Sequence, residues 1–335
     1  MKIIFYEIKD SEFDYLSERI PNTIEPVFIK HTLNESTYID EKQKDIDAIS
    51  IFVASRLTKN VLEKFPNLKY IFLRCSGYSN VDSDYCKEKN ITIFNAPNYG
   101  SSTVAEYAFT LILAVSKKLN KTVRELKNGT TDSSELTGIE LYNKTIGVIG
   151  TGNIGRKVIN IAHGFNMSVL AYDIKKQGAY NYVSLEELLS KSDFVSINCP
   201  LTKETKGLIN KYTLSLMKPN AILINTSRGE IVSTKDLYTA LVNKKLKGAG
   251  LDVIECEELL CMQRKECEDF DNLRNYCLKK YFFIHKLMQL ENVVITPHNA
   301  YNTKEANRRI LNITLNNINS CSDIEFCNKN QVLIS

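Results

Sequence analysis

Lys144-Thr145-Ile146-Gly147-Val148-Ile149-Gly150-Thr151-Gly152-Asn153-Ile154-Gly155 is the stretch that decides the fold of this chain. Its first half, Thr145–Ile149, is a short apolar run that reads as a buried strand. Its second half is a Gly-x-Gly-x-x-Gly element, and Arg156–His163 continues it with a helical pattern. Alone, the glycine spacing is weak. Between a strand and a helix it is the arrangement a dinucleotide site needs. Gly150 makes the tight turn, Gly152 lets a pyrophosphate approach the backbone, and Gly155 permits close helix–strand packing. The helix start then offers N–H groups and a positive dipole end to the anion. Ser168–Tyr172 is the next strand, and Asp173 stands at its C-terminal end. A carboxylate there suits the ribose hydroxyls of NAD and repels the extra phosphate of NADP.

Outward from this unit, further apolar runs follow at Phe194–Asn198, Ala221–Asn225, Gly248–Leu251 and Val293–Thr296, with helical patterns between them. Alternation of this kind predicts an α/β architecture with a doubly wound parallel sheet. An earlier series, Lys2–Tyr6, Ala48–Val53, Tyr70–Leu73 and Ile91–Phe94, has helical stretches at Lys59–Phe65 and Ser83–Lys89. A long helix is expected from about Thr103 to Asn128, and a last one over Asn302–Asn319 that returns to the first domain. The expected organisation is two Rossmann-like doubly wound domains with a cleft between them: 1–98 with 299–335 as the substrate domain, and 99–298 as the nucleotide domain. Glu255–Leu290 reads as an insertion rich in charge, Cys and aromatics, with a helix near Leu278–Leu287 whose apolar side suits a partner.

The 335 residues allow about two domains. A net charge of +4, with acids and bases interspersed, argues against a nucleic-acid partner. No apolar run approaches the roughly 20 residues that span a bilayer, and Met1–Tyr6 reads as a strand rather than a secretion signal, so a cytoplasmic protein without a membrane partner is expected. The cysteines are expected to be reduced. The spacing of Cys256, Cys261, Cys267 and Cys277 matches no zinc pattern, so no metal is expected.

Three residues follow three strands of the second series. Arg228 lies in Asn225-Thr226-Ser227-Arg228-Gly229, Glu257 follows Gly250-Leu251-Asp252, and His298 follows Val293–Pro297. Strand C-termini of a doubly wound sheet face the ligand crevice. An Arg fork suits a carboxylate. A Glu beside a His stabilises imidazolium, which can give a proton to a ketone oxygen or, neutral, take one from an alcohol. A single Arg or His is more often a surface or core residue; the set of three at strand ends favours a site. His31, His163 and His285 lack such a context.

These blocks, Gly147–Gly155 with Tyr172-Asp173, Asn225–Gly229 leading to Gly248–Asp252, and Ile295–Thr303, resemble the D-2-hydroxyacid dehydrogenase family over nearly the whole chain. The resemblance implies an NAD-dependent oxidoreductase in which Arg228 binds substrate, Glu257 orients His298 and His298 is the acid/base. It implies that backbone amides at Ser76 and Gly77, in Arg74-Cys75-Ser76-Gly77-Tyr78, take the substrate carboxylate, and that Tyr99 and Tyr301 flank the substrate. By position, Asn153 and Ile154 lie under the pyrophosphate, Cys199, Pro200 and Thr205 line the adenosine–ribose side, and Thr226, Ser227 and Asp252 approach the nicotinamide. Pro297-His298-Asn299-Ala300-Tyr301-Asn302-Thr303 and the long span from Glu257 to His298 resemble the D-lactate branch, so pyruvate and D-lactate are the leading pair. Dimers through the nucleotide domain are also implied, with the Thr103–Asn128 helix as the contact. Two departures bear on substrate choice: Leu57 stands where some lactate-type members carry a polar aromatic residue, and Ser79 replaces the usual Asp. The rivals are a member acting on 2-hydroxyisocaproate, glyoxylate, hydroxypyruvate or 3-phosphoglycerate, and a non-enzymatic NAD-sensing corepressor-like scaffold.

Overall fold

A computed structural model describes residues 1–130, 132–257, 280–321 and 330–332. Its strands are β1 (Lys2–Phe5), β2 (Glu25–Phe28), β3 (Ala48–Ile51), β4 (Tyr70–Leu73), β5 (Thr92–Phe94), β6 (Thr145–Ile149), β7 (Ser168–Tyr172), β8 (Phe194–Ile197), β9 (Ile222–Asn225), β10 (Gly248–Leu251) and β11 (Val293–Ile295). They form two parallel sheets, in the orders β2-β1-β3-β4-β5 and β11-β10-β9-β8-β6-β7. Each sheet starts in its interior, winds one way, then reverses. The reversals fall between β1 and β3 and between β6 and β8, the places where open α/β sheets bind ligands. β3, β8, β9 and β10 are buried at every position, as strands covered on both faces must be.

The chain divides into two compact units, Met1–Tyr99 with Thr303–Ser335, and Gly100–Asn302. In the first, the helix Lys304–Ser320 lays Leu311, Leu315 and Ile318 into a core with Ile3, Phe5, Phe72 and Phe94. Thr303 caps it, its hydroxyl accepting from Ala306 N at 3.1 Å. In the second, the helix Ser101–Ser116 buries Ala105, Ala108, Leu111 and Ile112 against strands and the helix Asn153–Gly164.

Several local expectations change. The long helix breaks in two, Ser101–Ser116 and Leu119–Lys127, because Lys118 takes a left-handed φ of 52° that no α-helix continues through. β2 escapes a reading by pattern because Pro26 sits inside it. The strand is an edge, and the inward-facing amides are those in phase with Glu25, which donates to Met1 O, and Ile29, which donates to Phe5 O. Pro26 is out of phase with both, so its missing N–H costs the ladder nothing. The short helices Asp10–Ser17 and Glu41–Lys44 also carry too little pattern to read. Leu57 is fully buried in the core of the first unit and forms a parallel bridge with Val81.

Of the 255–290 insertion, residues 258–279 lie outside the described residues, Leu278 among them. Residues 280–288 are helical, and Ile284 and Leu287 point into the second unit's own core, whereas Phe282 and Met288 are exposed. Cys86, Cys199 and Cys321 are free thiols, but Cys256 is disulfide-bonded, against the expectation for it. Among the described residues, no helix is long and apolar enough to cross a membrane, and no cluster of His, Cys, Asp and Glu could hold a metal.

Candidate active site

The turn after β6 is built by backbone contacts. Gly150 has a φ of +90°, and a Cβ there would lie 2.7 Å from Asn198 C and Cys199 N, so only glycine lets β6 pass the end of β8 this closely. A Cβ on Gly155 would lie 1.9 Å from Gly150 O. Gly152 differs: nothing stands within 4 Å of its Cβ position. It caps the helix Asn153–Gly164 with no side chain closing the cap. Gly152 and Asn153 are exposed, and Ile154 is half-buried. The ground before that helix start is therefore open, with a positive dipole end aimed at it.

Asp173, one residue past β7, is held against this turn. Its carboxylate accepts from Thr151 N at 2.6 Å, Thr151 Oγ1 at 3.0 Å and Lys175 N at 2.9 Å. Burial raises its proton affinity, but these bonds and one from the Ile174 amide outweigh that and keep the carboxyl below its ordinary range. Tyr182, which the sequence reading missed, bridges Thr151 Oγ1 at 2.8 Å and Gln177 O at 2.8 Å, bracing the loop that carries Asp173.

The ends of β8 and β9 lie beside the turn. Ser227 Oγ donates to Cys199 O, tying the two ends together. Burial pushes the Cys199 thiol up to about 11, so it stays protonated, and the Asp173 charge adds to this. Thr205 donates to Pro200 O at 2.7 Å and closes the loop after β8. Two buried acceptors in this region have no partner among the described residues: Asn198 Oδ1 and Thr226 Oγ1. Buried polar atoms are ordinarily paired. The open cradle at Gly152 and these two atoms at the neighbouring strand ends fit a bound dinucleotide. Asn198 was not picked out from sequence; its importance follows from β8 lying next to β6, which the chain order does not reveal.

Arg228, Glu257 and His298 follow β9, β10 and β11. Gly229 seats the Arg228 loop directly on the next one, since a Cβ there would lie 2.2 Å from Ile254 C and O. Asn225 Nδ2 donates to Arg228 O at 2.9 Å and Asn225 Oδ1 accepts from Ser227 N at 3.0 Å, so the strand end fixes the loop while the Arg228 side chain stays exposed. His298 takes a left-handed φ of 49°, a costly choice for a residue with a Cβ. Asp252, buried at 1% exposure, holds it there. Its carboxylate accepts from Thr296 Oγ1 at 2.6 Å, Asn299 N at 2.8 Å and Ala300 N at 2.8 Å, and its carbonyl takes His298 N at 2.9 Å.

His298 Nδ1 meets Glu257 Oε1 at 2.8 Å. That bond holds the imidazole above its ordinary pKa. Burial opposes it, the charges of Glu257 and Asp252 reinforce it, and the Arg228 charge works against it. The pairing leaves Nε2 as the ring nitrogen for proton exchange. The Tyr301 ring stands edge-on to His298, with centroids 6.4 Å apart.

In the other unit, Ser76 is exposed and Gly77 half-buried in the turn after β4. Ser76 Oγ donates to Ala96 O at 3.0 Å, Asn95 Nδ2 to Ser76 O at 2.7 Å, and Cys75 Sγ to Gly77 O at 3.1 Å. Tyr99 accepts Arg309 Nε on its carbonyl at 2.6 Å.

Residues 109–300 match the model of the D-isomer specific 2-hydroxyacid dehydrogenase NAD-binding domain. The chain is 32% identical to a D-lactate dehydrogenase of Escherichia coli, with 98% of each chain covered. It is 36% identical to a hydroxypyruvate reductase of Thermotoga maritima over 81% of this chain and 84% of that protein. Among solved structures, the D-lactate dehydrogenase from Aquifex aeolicus complexed with NAD and lactic acid superposes with a TM-score of 0.85 at 34% identity, covering 99% of both chains.

Proposed function

Since the chain belongs to the D-isomer specific 2-hydroxyacid dehydrogenase family, NAD-dependent oxidoreductases of 2-hydroxy acids, we propose that it interconverts pyruvate and D-lactate. The observation that carries the acid–base part is the 2.8 Å His298–Glu257 bond beside the Arg228 charge. The D-lactate choice draws support from D-lactate dehydrogenase relatives that match over nearly the full chain.

When bound, NAD would supply hydride to, or accept it from, C2 of the substrate. Gly150, Gly152, Asn153, Ile154 and Gly155 would hold its pyrophosphate and Asp173 its ribose. Cys199, Pro200 and Thr205 would line the adenosine side, and Thr226, Ser227 and Asp252 the nicotinamide side. The chain's own residues manage the proton and the anion. In the reductive direction the His298 imidazolium gives its Nε2 proton to the ketone oxygen, and Glu257 keeps the ring cationic and oriented. Arg228 donates to the carboxylate and polarises the ketone oxygen. The Ser76 and Gly77 amides receive the substrate carboxylate. In the oxidative direction neutral His298 takes the hydroxyl proton.

The test is a panel of pyruvate, 2-ketoisocaproate, glyoxylate, hydroxypyruvate and 3-phosphohydroxypyruvate with NADH, followed at the nicotinamide absorbance. The highest kcat/KM is expected with pyruvate, giving the D product and favouring NADH over NADPH. A higher value for another acid moves the substrate assignment, and no turnover with any of them favours a sensing scaffold. We also propose a cytoplasmic homodimer. Leu119, Val123 and Leu126 expose an apolar stripe on the helix Leu119–Lys127, which supports a contact through the second unit. Light scattering at micromolar concentration is expected to give twice the chain mass, and a monomer mass refutes the dimer.

A further inference from the structure

Arg74 is the largest fully buried side chain among the described residues, at 1% exposure, and the proposed reaction makes no use of it. It lies between the end of β4 and the Ser76–Gly77 turn. Its guanidinium spreads over two other strand ends: Nη1 donates to Ser50 Oγ of β3 at 3.0 Å, and Nη2 to Tyr6 O at 2.5 Å and Glu7 O at 3.2 Å, just past β1. Glu7 completes the clasp. Its carboxylate accepts from Phe52 N at 3.1 Å, Ala54 N at 3.0 Å and Ser55 N at 2.9 Å, gathering the loop after β3. Glu7 has a left-handed φ of 58°. A non-glycine residue keeps such a conformation only where its surroundings impose it. The clasp sits at the β1/β3 reversal of this sheet, the position that takes ligand in an open α/β sheet. Here the chain fills it with its own cation and carboxylate.

Among the described residues Arg74 makes no direct ion pair and its Nε meets no hydrogen-bond partner. Burial works against its charge, and Glu12 and Glu7 oppose that from nearby. Burying a guanidinium is costly, and replacing such a group with apolar packing is often neutral or stabilising. Its planar fork, however, can hold three strand ends in one geometry, which an apolar side chain cannot. We propose that Arg74, with Glu7 and Ser50, is a positioning residue for the substrate: it sets the Ser76–Gly77 turn so that its amides meet the 2-keto acid carboxylate. This rests on the proposed role of that turn.

Arg74→Lys keeps the charge and loses the fork, Arg74→Met loses both, and Ser50→Ala removes a single bond of the clasp, the mildest lesion of the three. Each variant is compared with the parent for KM of pyruvate, KM of NADH and kcat, with circular dichroism and thermal melting to confirm folding. Expected is a rise in the pyruvate KM on the order of 10–100-fold for Arg74→Lys, the size set by losing a charge-assisted hydrogen bond to the substrate carboxylate, which lowers binding uniformly. Ser50→Ala is expected to raise it several-fold, with KM of NADH and kcat held within about two-fold in both. A Lys variant with parental pyruvate KM overturns the proposal by showing that charge alone suffices. Equal losses in both KM values overturn it as well, since they point to general damage. Should Arg74 variants not fold, Ser50→Ala and Glu7→Gln decide: an unchanged pyruvate KM in both refutes the clasp. The parent separates this from the underlying reading, because a parent inactive on every 2-keto acid removes that reading whatever the variants do.

Discussion

The two parallel sheets treat their reversal points in opposite ways. At β6/β8 the chain withdraws: Gly152 has nothing within 4 Å of its Cβ position, and Asn198 Oδ1 and Thr226 Oγ1 are left unpaired among the described residues. At β1/β3 it crowds in, with Arg74 and Glu7 taking up the loop amides and carbonyls themselves. One topology thus makes two kinds of surface. The withdrawn edge suits a large ligand that brings its own hydrogen-bonding groups. The filled edge suits a fixed platform for a small anion, which needs few contacts held in place.

The largest expected effect breaks the second unit's edge at its chemistry. His298→Gln keeps a polar side chain after β11 but cannot deliver a proton as imidazolium does. Reduction of the 2-keto acid is expected to lose about 10²–10⁴-fold in kcat, the usual worth of general acid catalysis. KM for NADH is expected to stay near the parental value, because the glycine turn is untouched. A kcat within a factor of three of the parent in steady-state assays removes His298 from the proton transfer.

Next in size is a pair that separates open ground from packed ground within one motif. Gly155→Ala places a Cβ 1.9 Å from Gly150 O, and crowding of this kind is expected to destabilise by about 1–3 kcal/mol, read in denaturant unfolding. Gly152→Ala meets nothing in the protein and loses only the better N-cap that Gly makes, so it is expected to cost no more than about 1 kcal/mol. Its NADH affinity is expected to fall roughly ten-fold, because the added Cβ stands where the pyrophosphate approaches the backbone and lengthens its bonds to the N–H groups. If Gly152→Ala binds NADH like the parent in fluorescence titration, the open ground is not where the cofactor lies.

The same contrast explains what the sequence exposes. The glycine turn and Asp173 are legible because the chemistry there is local: strand, turn, helix and next strand follow in order, and spacing alone carries the signal. Both sheets were foreseeable as α/β from alternating runs, and β2 was lost only because Pro26 breaks the pattern at an edge where it does no harm. Arg228, Glu257 and His298 stand out because each follows an apolar run. Asn198, Glu7 and Arg74 do not. Their meaning depends on β8 lying beside β6 and β3 beside β1, and strand order comes from packing across long stretches of chain. Nor does sequence show that Asp252 spends its carboxylate on Thr296, Asn299 and Ala300, holding His298 in a left-handed conformation.

The smallest effect, a displacement rather than a loss, tests the electrostatics at the ends of β10 and β11. The bond from Glu257 is the largest influence holding the His298 pKa above its ordinary value; burial and Arg228 pull the other way. Glu257→Gln keeps the size and a hydrogen-bonding oxygen but removes the charge, so the imidazole pKa falls. Reduction needs imidazolium, and its activity drops as pH rises through that pKa; in the variant this alkaline limb therefore moves to lower pH. Oxidation needs neutral imidazole, and its activity drops as pH falls through the same pKa; its acid limb also moves to lower pH. At a pH between the two pKa values, reduction is consequently impaired while oxidation is favoured, an asymmetry that lost packing alone does not produce. The check is a pair of kcat/KM profiles against pH, one in each direction, for parent and variant. Two unmoved profiles mean that Glu257 does not set the His298 charge, even with its oxygen 2.8 Å from the ring.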